Sequence, residues 1–252
     1  MKLAAQLYTL REFTQNKKDF LETLKKVKAM GYTSAQLSGA GPIIPEEVRS
    51  MTDEVDLPIS ATHIPHDMFV NHLDQVINNH KILACKYVGL GSMPKEYTKS
   101  PKDLQIFIDT YSKISETLAK EDLRFVYHNH NFEFFKFDDK TIMDILLENT
   151  SKDFFFELDT YWVQAGGADP VEWLEKTKDR CDYIHYKDMG VNRDFKTVFL
   201  PIGMGNLNWK KIIDASIKAN VKYCAVELDS YDGSVFEALD SSYKYLSALG
   251  LK

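Results

Sequence analysis

Apolar runs that end abruptly in ionisable residues recur along this chain, each followed by a segment with helical spacing, and that recurrence restricts the fold more than any other feature. Eight runs have a strand's composition: Leu3–Tyr8, Tyr32–Leu37, Ile59–His63, Tyr87–Leu90, Leu123–His130, Asp153–Leu158, Asp182–Tyr186 and Tyr223–Leu228. Between them lie segments such as Lys17–Met30, where Phe20, Leu21, Leu24, Val27 and Met30 repeat at helical spacing before Gly31 stops the pattern. Further helices are expected at Pro45, over Met68–Ala84, from Ser100-Pro101 to Lys120, and over Thr141–Glu148. The last three are expected over Pro170–Lys178 behind an Asp169 N-cap, Trp209–Ala219 and Val235–Leu249. Residues 189–207 form the longest irregular stretch. Alternation at roughly 25–35 residues per unit, with no linker or composition shift, predicts a parallel sheet. Eight units in 252 residues favour a closed (β/α)8 barrel with outer helices, one domain over 1–252, above an open doubly wound sheet. No Gly-x-Gly-x-x-Gly follows the first strand, which argues against a dinucleotide-binding fold.

Composition narrows the partners. A net charge of −6 offers no global attraction for nucleic acid or an anionic membrane, and no run reaches the ~18 apolar residues of a membrane span. The three cysteines, Cys85, Cys181 and Cys224, lie apart in apolar runs and read as buried thiols in a reducing compartment. The start LAAQLYTL is too short for a secretory h-region, so a cytoplasmic location is expected.

Barrels of this kind place their chemistry at the C-terminal ends of the strands, where the ionisable residues of this chain also fall. The fifth run, LRFVYHNHNFEF, changes from apolar to polar within a few residues. Alternation on a strand sends His128 and His130 to one side, about 7 Å apart. Pooled over adjacent strand ends, His128 (with His130 and Glu133), Asp159, His185 and Glu227 make a mixed nitrogen and oxygen site. Such a set suits one divalent ion of the Mn, Zn, Co or Fe kind better than Ca. Taken singly, Asp159 also reads as a helix cap, His185 as a satisfied core histidine and Glu227 as a partner for a lysine, but the functional reading of each is the stronger one at a barrel mouth.

Other residues carry two readings each. Lys187 shares the strand parity of His185 and either binds substrate oxygens or is a solvated strand-end lysine. His63 and His66 end the third strand, where they meet a sugar hydroxyl or pack a loop. Tyr8, Gln6 and Arg11 open the first loop toward the site, or Arg11 simply pairs with Glu12 or Asp19. Trp162, with Phe132, Phe134 and Phe135, is a stacking wall for a sugar ring or ordinary core. Gly203 and Gly205 either present amides to a phosphate or are plain turn glycines.

The motifs QLYTLR at 6–11, YHNHNFEF at 127–134, ELDTYW at 157–162, GGADP at 166–170, HYKD at 185–188, PIGMGNLNW at 201–209 and VELD at 226–229 span nearly the whole chain. In that order they resemble the sugar phosphate isomerase/epimerase group of the xylose isomerase-like TIM barrel superfamily. The resemblance implies a metal held by residues 128, Asp159, His185 and Glu227, and two metal-bound glutamates that remove and return a proton beside a carbonyl. This chain departs at the fifth strand, reading His128-Asn129-His130 where the superfamily usually has a Glu-Asn-His pattern. Glu133, five residues on, is then the candidate for the missing carboxylate, or Glu227 works with a histidine partner such as His128.

The expected function is a metal-dependent isomerase or epimerase of a sugar or keto-sugar, acting through an enediolate. A lyase or dehydratase of a keto-sugar or 3-keto-glycoside starts from the same proton abstraction, and a sugar-binding barrel without turnover is the non-catalytic alternative. Small carbohydrates are the expected partners, with His63, His130, Lys187, Trp162 and Tyr8 as binding residues, and a homodimer is one option.

Overall fold

A computed structural model describes residues 1–252. Its eight barrel strands are β1 (Lys2–Gln6), β2 (Ser34–Leu37), β3 (Ile59–His63), β4 (Tyr87–Leu90), β5 (Arg124–His128), β6 (Phe155–Asp159), β7 (Tyr183–Tyr186) and β8 (Tyr223–Val226). Every neighbouring pair is parallel, and the barrel closes by pairing of β8 with β1, from Tyr223 beside Lys2 to Val226 beside Ala5. This is the (β/α)8 barrel that the recurring units predict.

The strands are rich in apolar side chains on the outer face, where 55 buried residues pack between sheet and helices. A smaller interior layer of Ala4, Ala61, Tyr87, Val126, Tyr183 and Ala225 fills the lower barrel. Because strand side chains alternate, the residue two further along each of these strands also points inward, one step higher. Those residues are Gln6, His63, Gly89, His128, His185 and Glu227. The apolar plug is thus capped by a polar layer at the C-terminal ends. Register fixes it laterally: His128 lies beside Glu157, and Asp159 beside His185.

Local chemistry sets the element ends. Ser100 accepts the Asp103 amide at 3.2 Å to start the helix Pro101–Lys120, and Asn16 caps Lys17–Met30 in the same way. That second helix stops at Gly31, whose φ of +110° disfavours a side chain and whose Cβ would meet the Tyr243 ring at 2.4 Å. Asp169 caps the helix Pro170–Thr177, as expected.

The structure corrects four expectations. The first strand ends at Gln6, because the Gln6 side chain accepts the Tyr8 amide at 3.2 Å and turns the chain into a 3-10 helix over Leu7–Phe13. The single helix expected over Met68–Ala84 is two, His66–Asn71 and Leu73–Leu83, broken where His72 leaves helical geometry at φ −139° and ψ 35°. The stretch 189–207 contains an antiparallel hairpin, Asp188–Val191 with Thr197–Leu200, whose turn is held by Asn192 Oδ1 accepting the Asp194 and Lys196 amides. A short helix, Thr160–Ala165, follows β6 directly. No helix is long and apolar enough to cross a membrane, and the three cysteines are buried and free.

Candidate active site

The polar layer opens into a cavity of about 440 Å³ lined by Tyr8, Ser38, His63, His66, His128, His130, Glu227 and Asp229 among others. At its floor His128, Asp159, His185 and Glu227 each bring one nitrogen or carboxylate oxygen to within 4.8 Å of the others. His185 Nδ1 lies 2.8 Å from Glu227 Oε2 and 3.8 Å from Asp159 Oδ2. The His128 and His185 rings lean together with centroids 4.5 Å apart.

Asp159 shows how the fold divides one carboxylate between two tasks. Its Oδ1 accepts the Trp162 amide at 2.8 Å and so caps the helix after β6, while Asn129 Oδ1 accepts the Asp159 amide at 3.0 Å and ties it to β5. The other oxygen, Oδ2, is buried without a hydrogen-bond donor, and so is His128 Nδ1. Buried polar atoms are rarely left unpaired. Two such atoms in one four-residue cluster of nitrogen and oxygen donors fit a divalent cation.

Electrostatics separate the two imidazoles, His185 being charged by its carboxylates and His128 neutral. Burial alone would lower the His185 pKa, but the charges of Glu157 and Glu227 raise it to about 10. Burial would raise Glu227, yet Lys187 and His185 hold it well below the carboxylate range. Asp159 is pushed up to about 7, by burial first, against the pull of Lys187. His128 is held well below its usual value by burial and then by the neighbouring His185 charge, so its imidazole is neutral, as a metal ligand must be.

Lys187 is not a solvated lysine: it is 1% exposed, with Nζ 2.5 Å from Asp229 Oδ1, 3.2 Å from Glu227 Oε2 and 3.5 Å from Asp159 Oδ2. It lies 5.3 Å from the Trp162 ring centroid, and Trp162 in turn packs on His130. His130 lines the cavity, stacks on Phe132, and burial lowers its pKa to about 4. Tyr8 stands at the rim with Arg11 over its ring at 4.3 Å. His63 lines the cavity wall, and His66 contacts the Tyr111 hydroxyl at 2.7 Å.

Glu133 is not brought into this cluster. Its Oε1 accepts the Tyr127 hydroxyl and its Oε2 the His130 amide at 2.8 Å, so both oxygens order the loop after β5. Burial raises its pKa to about 7 despite those bonds. The amides of Gly203 and Gly205 are occupied too: both donate to Asp188 Oδ2, at 2.8 and 3.0 Å. The loop supplies its own anion, and the phosphate reading of these glycines falls.

Sequence reading passed over Gln36, Glu157, Asn129 and Asp229. Glu157 is buried with Oε2 2.6 Å from His63 Nε2 and Oε1 accepting Gln36 Nε2 at 2.8 Å. Burial would raise its pKa, but His185 and His63 lower it to about 2. Strand parity was the available signal, since Glu157 and Asp229 stand two residues from Asp159 and Glu227.

A closed parallel barrel with imidazoles and carboxylates pooled at its C-terminal mouth defines a (β/α)8 protein with a polar, ionisable site at the strand ends. The chain belongs to the xylose isomerase-like TIM barrel family, which it matches over residues 24–245. No curated protein matches it. Among solved structures it is similar to a sugar phosphate isomerase/epimerase from Parabacteroides distasonis, with 25% identity, a TM-score of 0.83 and coverage of 99% of this chain and 94% of that one. An L-ribulose 3-epimerase shares the fold at 13% identity and TM-score 0.75, covering 98% of this chain and 93% of that one. So does a xylose isomerase-like barrel from Mycobacterium smegmatis in complex with magnesium, at 12% identity and TM-score 0.76, covering 98% and 96%.

Proposed function

We propose that this chain is a metal-dependent isomerase or epimerase of a keto-sugar that works by moving a proton beside a carbonyl. The observation that carries the reading is the quartet His128, Asp159, His185 and Glu227, with two buried ligand atoms that lack a hydrogen-bond partner, at the floor of a polar cavity of about 440 Å³. These four residues would hold a divalent ion, which would supply Lewis-acid stabilisation of negative charge beside a carbonyl. The similarity to a sugar phosphate isomerase/epimerase supports the substrate class.

The protein's own residues supply the rest. Glu227 is ionised and reaches the cavity, so its carboxylate is placed to take a proton from a substrate carbon. The Lys187 ammonium, fixed between Asp229, Glu227 and Asp159, lies beside the same oxygens and offsets the negative charge that collects there. Tyr8 and His130 line the cavity with groups that hydrogen-bond or stack against a small polyol.

The test is solvent exchange. The manganese-loaded protein is incubated with L-ribulose and with D-fructose in deuterium oxide, and the sugars are followed by mass and NMR. The expected result is single-deuteron incorporation with a same-mass-class isomer or epimer, reduced about 10²-fold or more in Glu227→Gln. A product lacking a leaving group moves the reaction to the lyase class. No exchange with either ketose removes support for the isomerase reading on these sugars.

A further inference from the structure

We propose that the substrate of this site is a glycoside: a keto-sugar unit in the cavity, carrying a second, uncharged sugar that lies in a groove over the loop after β8. The inference rests on the keto-sugar reading above and names the part of the substrate that lies beyond the reacting ring.

The groove follows from how two loops are joined. Thr9 Oγ1 accepts the Leu228 amide at 2.9 Å, and Arg11 Nη2 donates to the Asp229 carbonyl at 3.0 Å, so the segments after β1 and β8 are clamped beside the cavity. Beyond the clamp the chain crosses to the helix Val235–Ala248, which Ser234 caps by accepting the Glu237 amide at 3.3 Å. A second cavity, of about 290 Å³, lies there between Phe13, Tyr231 and Phe236, with Glu12 and Ser230. Asp229 lines both this cavity and the one above the quartet, so the two adjoin. Ser230 and Tyr231 in turn line a third space, of about 690 Å³, against Asn192 and Thr197–Leu200 of the hairpin. Phe199 of that hairpin packs on Trp162 with ring centroids 5.8 Å apart and lies 5.0 Å from Lys187 Nζ, which ties the far wall of the groove back to the site.

The side chains along this path have the chemistry of sugar recognition. Aromatic rings are negative on their faces and pack the C–H face of a sugar ring, while carboxylates such as Glu12 and Asp232 accept from its hydroxyls. Phe13 is 41% exposed, and the half-buried Tyr231 ring lies against Gly233, where a Cβ would meet its Cε1 at 2.8 Å.

Charge narrows the ligand further. Arg11 is the one lysine or arginine side chain along the three cavities, and it is committed to the Tyr8 and Asp229 carbonyls, at 2.7 and 3.0 Å, and to the Tyr8 ring. Glu12, Glu227, Asp229 and Asp232 give the path an excess of carboxylate, which repels a phosphate or carboxylate substituent. Asp229, the wall shared by the first two cavities, is fixed by Lys187 Nζ at 2.5 Å. A ligand that fills both cavities is therefore one molecule with two hydroxyl-rich rings and a short link.

Calorimetric titration of the manganese-loaded chain tests this, with D-fructose beside lactulose, maltulose and isomaltulose, in which a fructose unit carries a second hexose. At least one of the disaccharides is expected to bind about tenfold or more tightly than D-fructose. Tyr231→Ala removes a wall of the groove and Ser230→Trp fills it. Both are expected to erase the advantage while leaving the D-fructose affinity and the manganese content unchanged. No measurable binding of the disaccharides, binding no tighter than that of D-fructose, or an advantage that survives both variants overturns the proposal. So does a groove taken by a second copy of this chain, which sedimentation would show as a dimer that Ser230→Trp dissociates. The deuterium-exchange assay reads separately. If no ketose exchanges while a disaccharide binds through Tyr231, the groove stands and the isomerase reading falls; if D-fructose exchanges and no disaccharide gains, the reverse holds.

Discussion

Gln36 places its side-chain oxygen 2.8 Å from His185 Nε2, and that contact decides which nitrogen of His185 faces the cluster. The Gln36 amide nitrogen donates to Glu157, so its oxygen is left to accept, and His185 Nε2 must carry a hydrogen. Nδ1 is thereby turned to Glu227 and Asp159. Either a second proton or a cation has to stand between that nitrogen and the two carboxylates.

Gln36→Leu removes the acceptor with little change of volume. The variant is expected to bind manganese about tenfold more weakly, because a metal-ligating imidazole loses the partner that fixes its tautomer. Titration calorimetry on wild type and variant measures it, and equal affinities would show that Glu157 alone orients His185.

His80 gives a stability signature separate from the site. It is 1% exposed, donates Nδ1–H to the Val76 carbonyl at 2.7 Å, and accepts the Thr62 hydroxyl at Nε2 at 2.8 Å. Burial lowers its pKa from 6.5 to about 4, only partly opposed by the Val76 bond. A folded pKa below the unfolded one means that the contribution is complete above 6.5 and is lost as pH falls towards 4. Between pH 7 and pH 5 wild type should lose about 2 kcal/mol that His80→Gln does not lose, measured by urea unfolding at both pH values. Parallel losses in the two proteins would contradict it.

Asp188 is the anion of the loop after β7. It accepts the amides of Met189, Gly203, Gly205 and Leu207 and the Trp209 indole N–H, the last at 2.7 Å. Asp188→Ala strands five donors, the Trp209 indole buried and the amides of Met189, Gly205 and Leu207 half-buried, and should cost about 3 kcal/mol in urea unfolding. Inorganic phosphate should leave the Tm of wild type unchanged, since its amides are already taken.

Much of this architecture was readable from the sequence, because βα periodicity survives without tertiary information. Ile59–His63 and Tyr87–Leu90 coincide with the strands observed, and Lys17–Met30 with the helix. The breaks at Gln6 and His72 were not readable, since each depends on a side chain or a local φ/ψ choice that periodicity does not encode. For the site, the strand-end rule brought His128, Asp159, His185 and Glu227 together. It gave no means of telling that Glu133 would turn back onto Tyr127, or that Glu157, within the same motif as Asp159, would lie under the cavity. Those outcomes are set by hydrogen bonds across strands, such as Asn129 to Asp159 and Gln36 to Glu157.

The most direct test of the central claim is the metal content of the purified protein, measured by elemental analysis after reconstitution with manganese or zinc and gel filtration, beside His128→Ala, Asp159→Asn and Glu133→Gln. The structure leads to about one ion per chain in wild type and in Glu133→Gln, with affinity reduced about 10-fold to 100-fold or lost in His128→Ala and Asp159→Asn. No bound ion in the reconstituted wild type, or full occupancy in both His128→Ala and Asp159→Asn, would contradict the assignment of the metal to this quartet.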